Sequence, residues 1–176
     1  MGYETEFTGR VAVHPPLNIH EIAYLRRFAG TRRMHRTRGP YYVDGGGHAG
    51  MALEPDVLDH NRPPDGQPAL WCKWEPTGDG GAITWNEAEK FYGAVAWMAY
   101  LIDTFLKPGA AVEHELAAPV PGRDYPGAFR HFTFDHILDG AIDAVGEEPE
   151  DVWRLTVTAN TVGTEALPDP RLDGGR

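Results

Sequence analysis

Arg26, Arg27, Arg32, Arg33, Arg36 and Arg38 place six guanidinium groups within thirteen positions, with no acid among them. The whole chain has a net charge of −10, so outside this segment acids exceed bases by 16. Guanidinium groups hold phosphate or carboxylate in bidentate fashion, where lysines act as point charges. Arg32, Arg33, Arg36 and Arg38, with Tyr41, Tyr42 and His48 nearby, are therefore candidate contacts for a nucleotide, a phosphorylated metabolite or a nucleic-acid backbone. A competing reading keeps these charges at home. The same arginines could pair with Glu54, Asp56, Asp59 and Asp65 and order the long loop against the first helix.

Two further residues complete the candidate ligand-binding set. His60, between Asp59 and Asn61, could serve acid/base chemistry with its acidic neighbour. Trp71 lies on the strand face opposite Trp74, where an indole could stack a base or a sugar. Other chemistries find less support. Gly45-Gly46-Gly47-His48 could cradle an anion with its backbone amides, but no Gly-Lys-Ser/Thr follows and no helix begins there. Asp59-His60-Asn61, Glu113-His114-Glu115 and His131 with Asp135-His136 offer imidazole and carboxylate, yet none has a recognised metal-ligand spacing, so no metal and no cofactor are expected. The chain contains no serine, which excludes a serine triad. Cys72 shares the core-facing side of a strand with Trp74 and reads as inert packing.

These side chains need elements to position them. At 176 residues, 41% of them apolar, the chain can bury the core of one domain. Tyr3 to Val13 alternates as a half-buried strand. Asn18 and Glu21 form a capping box, with Leu17 and Ile22 at the staple positions, and the helix they open carries the stripe Ile22, Leu25, Phe28. Residues 39–68 read as a long irregular loop. Residues 69–75 and 82–85 form an aromatic hairpin. Asn86, with Glu89 three residues on, caps a second helix carrying Phe91, Val95, Met98, Ile102 and Phe105. Residues 110–130 give no clear pattern. Residues 138–144 and 153–159 make another hairpin across the acidic turn 147–151, and residues 168–176 read as a disordered tail.

The expected fold is thus α+β. An antiparallel sheet of about five strands carries two helices on one face, in the ferredoxin-like βαββαβ order plus an extra C-terminal strand, as one domain over residues 1–167. The single cysteine, the lack of a signal-like start at Met1-Gly2-Tyr3-Glu4 and the lack of a long apolar run make the cytoplasm the expected compartment, with no membrane partner. Net charge disfavours nucleic acid as a general partner.

Thr31-Arg32-Arg33-Met34, Gly39-Pro40-Tyr41-Tyr42, Gln67-Pro68 with Leu70 to Pro76, Glu89-Lys90-Phe91-Tyr92, and the stretch from Gly140 through Arg154 resemble a family of uncharacterised proteins of bacteriophages and actinobacteria. The resemblance implies a shared fold and a phage or prophage origin, and it supplies no catalytic residue. Three functions follow as expectations. The first is a small binding domain for an anionic, phosphate-bearing ligand. The second is a phage-type accessory protein that binds a host or defence protein. The third is a small hydrolase or transferase using His60 or His136 with neighbouring acids.

Overall fold

Alternation of apolar and polar residues builds the centre of the sheet. In the computed structural model, which describes residues 3–45, 54–169 and 171, strand β1 (Thr5–His14) buries Phe7, Val11 and Val13 and exposes Glu6, Thr8 and Arg10. Further along the chain come α1 (Ile19–Ala29), a small ribbon of β2 (His35–Arg36) and β3 (Val57–Asp59), then β4 (Trp74–Pro76), β5 (Ala82–Trp85) and α2 (Ala94–Leu101). A π-helical turn (Ile102–Leu106), α3 (Ala111–Ala117) and a 3-10 turn (Gly127–His131) lead into β6 (Ile137–Gly146), β7 (Val152–Thr158) and β8 (Thr161–Ala166).

Six strands form the main sheet in the order β4-β5-β1-β6-β7-β8, and each neighbouring pair is antiparallel. The fold is therefore α+β, with six strands in this sheet rather than about five. The additional strand is β8. It follows β7 through the two-residue turn Ala159-Asn160, both at positive φ (45° and 71°), between the paired residues Thr158 and Thr161. Such a turn usually advertises itself with glycine, and here it has none.

β1 and β6 share the longest register in the sheet, from Thr5 opposite Gly146 to His14 opposite Ile137. Their inner-face residues, with Leu155 and Val157 of β7, join one core with Tyr24, Leu25 and Phe28 of α1 and Trp97, Met98 and Leu101 of α2. Helices thus cover one face of the sheet. The other face is polar, with Arg154 of β7 gripping Asp143 of β6 through two bonds of 2.6 and 3.2 Å. Two glycines meet in this pair: Gly9 lies opposite Ile142, and Gly140 opposite Val11.

The capping box at the start of α1 is complete. Asn18 accepts from the amides of His20 and Glu21, each at 3.0 Å, and Glu21 accepts from the Asn18 amide at 2.9 Å. The Asn18 side chain also donates to the His131 carbonyl at 2.8 Å, tying the cap to the 3-10 turn. Asn18→Ala is expected to lower stability by about 1–2 kcal/mol, measured as a shift of the urea midpoint at unchanged slope.

The second helix begins later than the sequence suggests. Asn86 accepts from the Ala88 amide at 3.0 Å, but this closes a local turn and caps no helix. Glu87, Lys90 and Gly93 hold φ of 65°, 60° and 71°, left-handed values at which a right-handed helix cannot propagate. Phe91 therefore packs from a loop, against Trp74 and Phe7 at centroid distances of 4.8 and 5.7 Å, and α2 starts at Ala94.

Candidate functional site

The arginines after α1 serve different ends. Arg33 is 2% exposed, and its guanidinium lies 4.1 Å over the Phe28 ring. It donates to Gln67 Oε1 at 3.2 Å and to the Pro40 carbonyl at 2.7 Å, while Gln67 bonds the same carbonyl and the Tyr100 hydroxyl. Burial pulls the Arg33 pKa below its ordinary value, opposed by Tyr24 and Tyr100. Its Nη1 has no hydrogen-bond partner among the described residues.

Arg36 is buried against two carboxylates. It bonds Asp56 at 3.0 and 3.2 Å and also pairs with Glu54, and its guanidinium sits 4.8 Å over Tyr42. Arg38 lies 5.0 Å from the centroid of the same Tyr42 ring and 3.7 Å from both Asp56 and Asp124. These contacts stitch residues 54–56 to the segment after α1, as in the local-pairing reading. Tyr41 is buried: its hydroxyl bonds Glu115 and its carbonyl accepts from Tyr24 at 2.8 Å. Burial, and then the Glu115 contact, push the Tyr41 phenol well above its usual range.

Arg32 alone of the four expected arginines sits half-exposed on neutral oxygens, the His60 carbonyl at 3.0 Å and Asn61 Oδ1 at 3.3 Å. His60 itself is exposed. His48 and the two glycines before it lie outside the described residues. Arg36 lines a small cavity of about 170 Å³ with Gly39, Asp65 and Arg123. Trp71 stands apart from that cavity. The expected ligand residues are thus divided among a buried clamp, a loop contact and a separate cleft.

That cleft, of about 410 Å³, runs between residues 63–73 and 89–92. Pro63, Pro68, Ala69 and Leu70 give it an apolar lining, and Trp71 and Tyr92 supply two aromatic rings. Tyr92 is 60% exposed. The charged residues of the lining are Lys73, Lys90 and Glu89. Lys73 Nζ donates to the backbone carbonyls of Glu89 and of Lys90, the latter at 3.2 Å. Burial lowers the Lys73 pKa, the Lys90 charge adds to this, and Glu89 opposes it. Trp71 and Lys73 also line an adjoining hollow of about 280 Å³ with Asn86 and Ala88.

One wall of the cleft is the left-handed stretch described above. Non-glycine residues at such φ cost on the order of 1–2 kcal/mol each, and they persist where surrounding contacts hold them. Here the holding contacts are Lys73 on the Glu89 and Lys90 carbonyls and the Trp85 indole on the Ala88 carbonyl at 3.1 Å. Sequence reasoning found Trp71 and missed Tyr92 and Lys90, because it placed residues 87–92 inside a helix, and it gave Lys73, set in the strand 69–75, no role.

A second polar cluster stands at the opposite end of α1. Glu21 and His136 are 0% and 1% exposed, and His136 Nε2 lies 2.7 Å from Glu21 Oε2 while Nδ1 lies 2.7 Å from the Pro15 carbonyl. No group of three or more His, Cys, Asp or Glu suited to a metal ion occurs among the described residues. Cys72 is buried, and burial pushes its thiol up to about 12, away from the thiolate a nucleophile needs. No helix among the described residues is long and apolar enough to cross a membrane. The chain matches no protein-family model, no curated protein and no solved structure.

Proposed function

We propose that this protein is a small binding domain, and that its ligand is a flat molecule carrying an anionic group, seated in the cleft between Trp71 and Tyr92. The observation that carries this reading is the lining itself. A cleft of about 410 Å³ falls within the size range of small-molecule sites. Its apolar floor and two aromatic rings suit a planar group. Two lysines against one glutamate make the lining positive in a chain whose net charge is −10.

The anion expected from the arginine segment keeps its place in this proposal but changes its anchor. Arg36 and Arg38 already face Glu54, Asp56 and Asp124, whereas Lys73 and Lys90 face the cleft. Arg32 holds the chain at His60 and Asn61, just ahead of Pro63 at the cleft wall. As a framework for this site we read the sheet as ferredoxin-like with added strands. The order β4-β5-β1-β6, the antiparallel pairings and the placing of α1 and α2 support that reading.

Adenosine 5′-monophosphate and pyridoxine 5′-phosphate are suitable probes. Saturable binding that weakens with added salt is expected, and Trp71→Ala should weaken it by roughly 5-fold or more, since one base–aromatic stack contributes about 1–3 kcal/mol. Calorimetric titration measures both. Absence of saturable binding by either probe, or equal affinity in Trp71→Ala, would overturn the proposal.

A further inference from the structure

We infer that Lys73 is a carbonyl-reactive lysine, whose amine condenses with a flat anionic aldehyde seated in the cleft. The inference rests on the reading of the cleft as a ligand site and adds to it the class of ligand and the bond it forms. The chain has only three lysines, and two of them, Lys73 and Lys90, line this one cleft. The third, Lys107, pairs with Asp103 at 2.9 Å on the surface.

Lys73 Nζ has two acceptors, the carbonyls of Glu89 and Lys90. No carboxylate lies within ion-pair distance of it among the described residues, and the Glu89 charge, which favours the ammonium form, acts on it only from farther off. A neutral amine satisfies both carbonyls with its two N–H groups and keeps its lone pair for a third direction. Leu70, Trp71 and Tyr92 supply apolar surface beside it, and the neighbouring Lys90 charge disfavours a second cation. Burial beside another cation shifts a lysine toward the free amine that attacks carbonyl carbon.

The step balances without an oxidant or a further reactant. The Lys73 nitrogen attacks the aldehyde carbon, a C–N bond forms, and the carbonyl electron pair moves to oxygen. One proton passes from nitrogen to that oxygen to give the carbinolamine. Loss of the hydroxyl with the second nitrogen proton releases water and leaves the C=N bond. Lys90, at the rim, would meet the anionic group, and the two aromatic rings the planar one.

Pyridoxal 5′-phosphate provides the test, with pyridoxine 5′-phosphate as the matched probe that lacks the carbonyl. The full chain is incubated with the aldehyde near neutral pH, reduced with borohydride, and the adduct located by peptide mass mapping. Lys73 should be labelled at least about 10-fold more than Lys107, because a bound aldehyde meets its amine intramolecularly. Pyridoxine 5′-phosphate should compete, and Trp71→Ala should bring the labelling of Lys73 down toward that of Lys107. Binding of pyridoxine 5′-phosphate at Trp71 with Lys73 labelled no more than Lys90 or Lys107 would overturn this inference and leave the cleft reading standing. No binding of pyridoxine 5′-phosphate would remove the cleft reading, and this inference with it.

Discussion

His136→Ala is expected to lower folding stability by about 3–5 kcal/mol, the usual consequence of stranding one partner of a buried ion pair. Glu21 is the partner that would be stranded. Its carboxylate accepts from the Asn18 amide at 2.9 Å, from His136 Nε2 at 2.7 Å and from the Thr133 amide at 3.4 Å, in a position with no exposure. Without the imidazole, that carboxylate keeps two backbone donors and loses its counter-charge. The damage would extend beyond one contact, since the His136 ring also joins the turn before α1 through the Pro15 carbonyl.

The same pair gives stability a pH dependence with a definite sign. Both ring nitrogens of His136 face oxygen acceptors, Pro15 and Glu21, so the native state favours the doubly protonated ring. Burial alone would push the His136 pKa down, but the bonds to Glu21 and Pro15 and the charges of Glu21 and Asp135 outweigh it, and the pKa is raised. A folded-state pKa above the unfolded value of 6.5 means the cation binds its proton more tightly in the native state. Its stabilisation is then complete below the unfolded value and fades as pH rises through the folded one. Urea midpoints from about pH 5.5 to pH 9 should fall in this window for the wild-type chain and change less in His136→Ala. Parallel curves for the two proteins would contradict the assignment.

Gly9→Ala and Gly140→Ala should each cost roughly 3 kcal/mol or more, summing strain at a forbidden φ and overpacking. Gly9 holds φ of 118°, and a Cβ there would stand 2.8 Å from the Ala141 carbonyl oxygen. At Gly140 a Cβ would stand 2.7 Å from the Arg10 carbonyl oxygen and 2.9 Å from the Val11 Cα. The obstacles are backbone atoms of the central strand pair and cannot swing aside. Loss of register between β1 and β6 would disturb the sheet on both sides. Thermal unfolding measures the cost, and a change within about 0.5 kcal/mol, typical of an inert surface site, would show that the pair can absorb a methyl group.

The sequence made some of this plain because the determining residues are close together. The alternation of Phe7, Val11 and Val13 and the box of Asn18 with Glu21 are local patterns with one structural solution. The late start of α2 was hidden for the opposite reason. Asn86 and Glu89 satisfy the spacing of a capping box, while the residues that defeat it, Glu87 and Lys90, are ordinary types in a left-handed conformation fixed by Lys73 and Trp85 from other segments. Strand β8 escaped notice because its turn, Ala159-Asn160, lacks glycine.

Candidate sites were legible only in part. Charge alone marks Arg32, Arg33, Arg36 and Arg38, but which oxygen each meets depends on residues 7 to 86 positions away, such as Pro40 for Arg33, Asp56 for Arg36 and Asp124 for Arg38. The Glu21 and His136 pair spans 115 positions, and no spacing rule links them. The cleft combines a proline-containing segment, residues 63–73, with residues 89–92, and it exists because the loop before α2 folds back over Lys73.

The central claim is that a flat anion sits between Trp71 and Tyr92, and the indole N–H signals of the five tryptophans test it directly. Trp74 and Trp85 have their indole nitrogens bonded to backbone carbonyls, at 2.7 and 3.1 Å, and Trp97 is fully buried. Titration of labelled protein with pyridoxine 5′-phosphate, followed by proton–nitrogen correlation spectra, should move the Trp71 signal progressively and to saturation while those of Trp74, Trp97 and Trp153 hold their positions. A Trp71 signal that stays fixed through the titration would contradict the account.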